Sequence, residues 1–212
     1  MRRSIIFIFI CLFFLLWFVK KPTELPVFLL DSTPSVITKG QFNNALILAI
    51  SFEHDQLVPF IEGNKQQLTY LVTAKLLERS PSLSKTLKPL TYQVGLLGEV
   101  SAAYEEDASL LESELRRFEK TFQMKPMYFM TEDLQYSNAL LKQLSQYEIN
   151  ALAPTKLTTF DKSLKDGQHV YITLNEQTSI SFSKLSKFLQ SGKFTSIEET
   201  IFNSSISTST AP

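Results

Sequence analysis

Ala45–Asp55 reads ALILAISFEHD, eight largely apolar residues that end abruptly in three ionisable ones. An apolar run of that length, bounded by polar residues, is the pattern of a strand buried on both faces, as in a parallel sheet. In α/β folds the C-terminal ends of such strands carry the functional site, so Glu53, His54 and Asp55 stand where chemistry is placed. The plainer reading of the same triplet is the start of a solvated loop.

Outward from this strand, composition sets the class. The chain has 212 residues, 44% hydrophobic and 20% charged, which suits one globular domain with a terminal appendage. Its 21 basic and 21 acidic residues are unevenly placed: Arg2, Arg3, Lys20 and Lys21 flank the first apolar segment, and no acid precedes Glu24. Without those four, 17 basic residues face 21 acidic ones. A mildly acidic domain with no basic cluster excludes a nucleic-acid partner. The single cysteine, Cys11, lies in the apolar segment, so neither an intrachain disulfide nor a thiolate metal site is expected. Two histidines, His54 and His169, leave little for imidazole-based metal chemistry. His169, at the start of a strand, reads as a partly buried or surface residue rather than a ligand.

Residues 5–19, IIFIFICLFFLLWFV, are continuously apolar between Arg2-Arg3 and Lys20-Lys21. The segment has the length of a signal-peptide core, but no small-x-small cleavage site follows. Residues 1–21 therefore read as an uncleaved signal anchor or, if cleaved, a signal peptide. The first gives a single-pass cell-membrane protein with an extracytoplasmic domain; the second gives a secreted one. Residues 22–44, with Pro22, Pro26 and Pro34, read as a tether, 45–203 as the domain, and 204–212 as a disordered Ser/Thr tail.

Within the domain, further strands are expected at Leu68–Thr73, Tyr92–Leu97, Met127–Met130, Glu148–Leu152 and Val170–Leu174, with a last short one in Phe194–Ile197. Helices are expected at Leu57–Ile61 (one turn), Lys75–Glu78, Ser80–Lys88, Ser109–Gln123, Leu134–Gln146 and Ile180–Ser191. Leu111, Leu115, Phe118 and Phe122 recur at helical spacing, and Ser109 with Glu112 spells a capping box. Gly192 is the expected C′ residue of the last of these helices. Strand–helix alternation at this spacing gives an α/β fold with a parallel sheet.

These residues resemble the polysaccharide deacetylases of the NodB-homology type, the family of chitin and peptidoglycan deacetylases. Ser51-Phe52-Glu53-His54-Asp55 is similar to the family's T-F-D-D-G. Leu68–Ala74 followed by Ser80-Pro81-Ser82-Leu83 is similar to A-T-F-F-V-T-G and N-P-E-L. Tyr92–Leu97 stands for H-E-I-G-N-H, and Leu111–Phe129, with Lys125 and Pro126, for the long helix leading into K-x-P. Gly167–Thr173 stands for G-x-I-V-L-L-H. The resemblance covers about Ala45 to Ile201 and implies a distorted (β/α) barrel of about six to seven parallel strands, preceded by the N-terminal apolar helix.

It also implies what the family's catalysis would need. There a divalent metal is held by the second Asp of the first motif and by two histidines of an H-x-x-x-H, and the first Asp activates the metal-bound water. In this sequence those positions fall on His54, Leu97 and Ser101 for the metal and Glu53 for the base. The arginine of R-P-P-Y falls on Met130 and the general-acid histidine on Thr173. No bound metal or other cofactor is expected, because a catalytic site needs about three protein ligands and an open position. The expected function is binding without hydrolysis, to a cell-envelope glycan or to a membrane or envelope protein. The alternative is a divergent metal-dependent N-deacetylase, with zinc or another divalent ion held by Glu53, His54 and Asp55. Strand neighbours point to opposite faces, which works against such convergence. An unrelated α/β binding protein is a third possibility. Tyr92, Tyr104 and Tyr128 are aromatics that could stack on sugars or simply pack.

Overall fold

The computed structural model describes residues 35–160, 164–178 and 180–202. The apolar segment 5–19, most of the tether and the tail 204–212 lie outside these residues. No helix among the described residues is long and apolar enough to cross a membrane.

In chain order the strands are β1 Val36–Ile37, β2 Ala45–Ile50, β3 Thr69–Val72, β4 Val94–Gly98, β5 Tyr128–Thr131, β6 Asn150–Leu152, β7 Thr155–Lys156 and β8 His169–Leu174. The helices are α1 Leu57–Gly63, α2 Ala74–Arg79, α3 Pro81–Leu87, α4 Ser101–Glu106, α5 Leu110–Phe122, α6 Asn138–Gln146, α7 Phe182–Ser191 and α8 Ile197–Phe202, with a 3-10 segment over Lys88–Gln93. The strands form one sheet in the order β1-β6-β5-β4-β3-β2-β8-β7, and every ladder in it is parallel. Eight strands, rather than six or seven, build this barrel-like sheet. The two that the pattern could not reveal, β1 and β7, hold two residues each, too few to display a period of two.

β2 is buried along its whole length and sits at the centre, between β3 and β8. Its side chains alternate between two apolar layers. Leu46, Leu48 and Ile50 face the helices, together with Tyr70, Val72, Leu96, Phe129, Val170, Ile172 and the apolar stripe of α5. Ala45, Ile47 and Ala49 face the concave interior with Leu71, Leu97, Tyr128, Met130, Leu152 and Tyr171. Ile197 of α8 joins this inner layer. The continuous apolar run of β2 thus reflects burial on both faces, as expected for a parallel strand.

Several local expectations need correction. The stretch read as tether already contains β1, which pairs with β6, so the folded domain begins before Ala45. Ser109 precedes α5 without capping it; its N–H and hydroxyl bond instead to Asp107 Oδ1, at 2.9 and 2.7 Å. α6 starts four residues later than the apolar pattern suggested. Leu134 adopts a left-handed φ of 57°, and Ser137 supplies the cap, accepting from the Leu140 N–H at 3.2 Å. Gly192 ends α7 in an extended rather than left-handed conformation. Phe194 makes only an isolated bridge to Asn44, and Ile197 opens α8 instead of closing a strand.

The C-terminal segment closes the end of the sheet where the strands begin. His169, at the start of β8, is fully buried, not partly exposed as its position suggested, and its Nε2 meets Thr200 Oγ1 at 2.6 Å. The Thr200 carbonyl accepts from the N–H groups of Gln41 and Phe42 at 2.7 and 3.0 Å. Tyr128, buried at the start of β5, donates its hydroxyl to the Glu198 carboxylate. Gly40 is packed so closely against Thr200 that a Cβ there would meet its carbonyl oxygen at 2.5 Å.

Candidate functional site

At the opposite end, where the strands finish, the concave face opens into a cavity of about 570 Å3. Its floor is apolar: Ala49, Leu97, Met130 and Tyr171 are each buried. Above them stand Ser51 and Phe52 from the exit of β2, Thr173 from β8 and Asn175 just past it, Arg79 from the end of α2, Glu132 after β5, Lys156 from β7, and Glu176 with Gln177. The volume lies within the range of about 300–1,000 Å3 usual for small-molecule sites, and its place at the carboxyl ends of parallel strands is where α/β folds bind ligands.

The sheet register brings together three positions that the sequence could only align. Leu97 and Met130 are direct partners across β4 and β5, and Thr173 is the partner of Ala49 across β2 and β8. All four line the cavity. Ser101 does not join them: it is the first residue of α4, its N–H points to Asp133, and its Oγ accepts from the Ser137 N–H at 3.2 Å.

Glu53, His54 and Asp55 do not converge on this cavity. Glu53 turns sideways to the start of α3, where one carboxylate oxygen accepts from the Ser80 hydroxyl and the other from Ser82 Oγ at 2.9 Å. It therefore anchors the end of β2 to a helix N-terminus, a favourable place for a carboxylate. His54 Nε2 lies 3.1 Å from the Asn175 carbonyl, so that nitrogen carries the proton and donates; the ring also makes an edge contact with Phe52. Asp55 is exposed in the loop. Ser80 and Ser82 were legible only as the opening of a helix, and nothing in the sequence marked them as partners of Glu53.

A divalent metal of the deacetylase kind does not fit this donor set. Leu97 offers no donor atom, both Glu53 oxygens are engaged by hydroxyls, and His54 presents an N–H to a backbone carbonyl. Among the described residues no three His, Cys, Asp or Glu side chains are grouped so as to hold a metal ion.

Just past β4, beside the site, a polar network runs from the surface into the protein. Glu99, just past β4, pairs with Lys75 at 2.6 Å, and its N–H donates to the Tyr104 hydroxyl at 2.8 Å. Tyr104 in turn donates to Glu114 Oε2 at 2.7 Å, inside the protein. Burial pushes the Glu114 carboxyl up to about 7, although the Tyr104 bond opposes the shift. Glu132, on the cavity rim, is also raised, first by burial and then by the charge of Glu99. Tyr104 and Tyr128 are thus core residues, while Tyr92 is 64% exposed in the 3-10 segment and does not line the cavity.

Compared with solved structures, this architecture is that of the CE4 polysaccharide deacetylases. A CE4 pseudoenzyme from Bacillus anthracis superposes with a TM-score of 0.59 at 11% identity, covering 78% of this chain and 68% of that one. A mutant of that pseudoenzyme with restored enzymatic activity gives 0.63 at 12%, over 80% and 72%. The chitin deacetylase of the fungal pathogen Colletotrichum lindemuthianum gives 0.62 at 13%, over 81% and 93%. No family model and no curated protein matches the sequence. At such identities the likeness is one of fold.

Proposed function

We propose that this protein is a membrane-anchored, extracytoplasmic member of the deacetylase fold that binds a cell-envelope glycan in the cavity without hydrolysing it. The observation that carries this reading is the cavity lining: Leu97, Met130 and Thr173 lie together where the resemblance puts a metal ligand, an arginine and an acid. Amide hydrolysis by this chemistry needs a cation to polarise the carbonyl and to lower the pKa of water. An apolar floor supplies neither, but it suits the C–H face or acetyl group of a sugar. The existence of a pseudoenzyme on the same fold, with activity restored in a mutant, is the precedent. The divergent-enzyme alternative is disfavoured because Glu53 is bound at both oxygens and is turned away.

The test uses the full-length chain purified in detergent. It should co-sediment with insoluble envelope polysaccharide and release no acetate from acetylated glucosamine oligomers above a blank. Failure to sediment, with capture of an envelope protein by crosslinking at Phe52, would shift the reading to a protein partner. His54→Asp combined with Leu97→His and Ser101→His should raise zinc affinity if the alignment of positions is right. Stoichiometric metal in the unaltered protein, lost together with turnover in His54→Ala, would establish an enzyme. A reporter fused after Pro212 should be active only outside the cytoplasm.

A further inference from the structure

The charged residues at the cavity mouth are arranged in a way the apolar floor does not explain. Arg79 ends α2, next to β3, and Lys156 ends β7. In the sheet order these lie on either side of the central β2–β8 pair. Both are exposed, both line the cavity, and neither is among the ion pairs of the described residues, which join Lys75 to Glu99, Arg116 to Glu112 and Arg117 to Glu78. From the exit of β2 rises Phe52, a large apolar side chain left 36% exposed at the same mouth. An aromatic face beside two unpaired cations, above an apolar floor, is a complete set of contacts for one kind of ligand.

We propose that the cavity takes an anionic glycan unit, a sugar bearing a carboxylate or a phosphate, with its ring against Phe52 and its charged group held by Arg79 and Lys156. This rests on the reading of the cavity as a glycan site. A guanidinium offers two parallel N–H donors that match a carboxylate or phosphate, and the ammonium adds a second point charge. A neutral sugar would draw on neither. The two acids of the lining do not remove this preference. Glu176 is a single exposed carboxylate just beyond β8, set against the two cations. Glu132 stands across the mouth beyond β5, three places from β2 in the sheet order.

The test is titration calorimetry of the full-length detergent-purified chain with trigalacturonate, with a glycerol phosphate oligomer and with chitotriose. One or both anionic probes should bind at least about tenfold more tightly than chitotriose at low salt, and this margin should shrink in about 0.5 M salt. Preference for trigalacturonate assigns the carboxylate, and preference for the glycerol phosphate oligomer assigns the phosphate. Arg79→Gln and Lys156→Gln, both surface changes, should each weaken the preferred anion about fivefold or more and weaken chitotriose by a clearly smaller factor. Arg79→Lys should recover only part of the loss, because it keeps the charge and loses the fork. Equal binding of neutral and anionic probes, or indifference to both glutamine variants, overturns the anionic preference and leaves the glycan reading standing. Binding of none of the three overturns both.

Discussion

The Glu114 carboxyl and the His169 imidazole are buried at opposite ends of the sheet, and their titrations act on stability in opposite senses. Glu114 has a folded pKa of about 7, above its ordinary 4.5, so the folded state holds the extra proton between those values. Stability therefore falls as pH rises through that window, by about 3 kcal/mol in all. His169, with no charge partner, is pushed by burial down to about 4 from 6.5, so here the unfolded chain holds the extra proton. Stability falls as pH drops through that window, by a similar ~3 kcal/mol. Between pH 4.5 and 6.5 the two slopes should largely cancel, leaving the urea midpoint nearly flat. Glu114→Gln, which keeps an acceptor for Tyr104, should stabilise the protein above pH 7 and expose a steep acid loss. His169→Gln should instead leave stability rising as pH falls from about 7 to 4.5, because the Glu114 slope is then unopposed. Parallel pH profiles for the wild type and both variants would show that neither group titrates as its burial requires. Neither role was legible in the sequence. Glu114 sits among the charged residues of α5, and only the fold turns it towards Tyr104 rather than solvent.

Elements were readable in proportion to their length and periodicity. β2, with six continuously buried residues, and α5, with thirteen residues and a clean apolar stripe, stood out at once. Two-residue strands and the six-residue helices α4 and α8 did not, because too few positions exist to establish a period. α5 is also the place to check the packing. Phe118 is fully buried, so Phe118→Ala should cost about 3–5 kcal/mol, whereas Glu119→Ala should change stability by less than about 0.5 kcal/mol. Equal costs would mean that α5 presents a different face to the sheet. Gly98, at the end of β4, gives a second check by denaturation. A Cβ there would meet the Tyr104 hydroxyl at 2.2 Å and the Phe129 ring at 2.4 Å. Gly98→Ala should therefore destabilise by about 1–3 kcal/mol, through overpacking of the same network that holds Glu99.

At the scale of the whole molecule, the alternation of strands and helices was enough to foresee a parallel sheet, and the family resemblance its barrel-like form, but neither gave the composition of its mouth. The cavity is lined from β2, α2, β4, β5, β7, β8 and the turns after them, segments spread over more than a hundred positions. Arg79 and Lys156 line one cavity, from either side of the central pair, only because the sheet order places β3 and β7 next to β2 and β8. The closed end is equally non-local. Ile197 of α8 is fully buried in the inner layer, and Ile197→Ala should cost about 2–5 kcal/mol, measurable as a lower unfolding midpoint. The carbonyl of Thr200 bonded to Gln41 and Phe42 has a further mechanical meaning. Gln41 and Phe42, which lead into β2, and Thr200 of α8 are thereby tied together at the closed end, opposite the mouth. A load on α8 is therefore passed directly to the segment that feeds β2, at the face away from the opening.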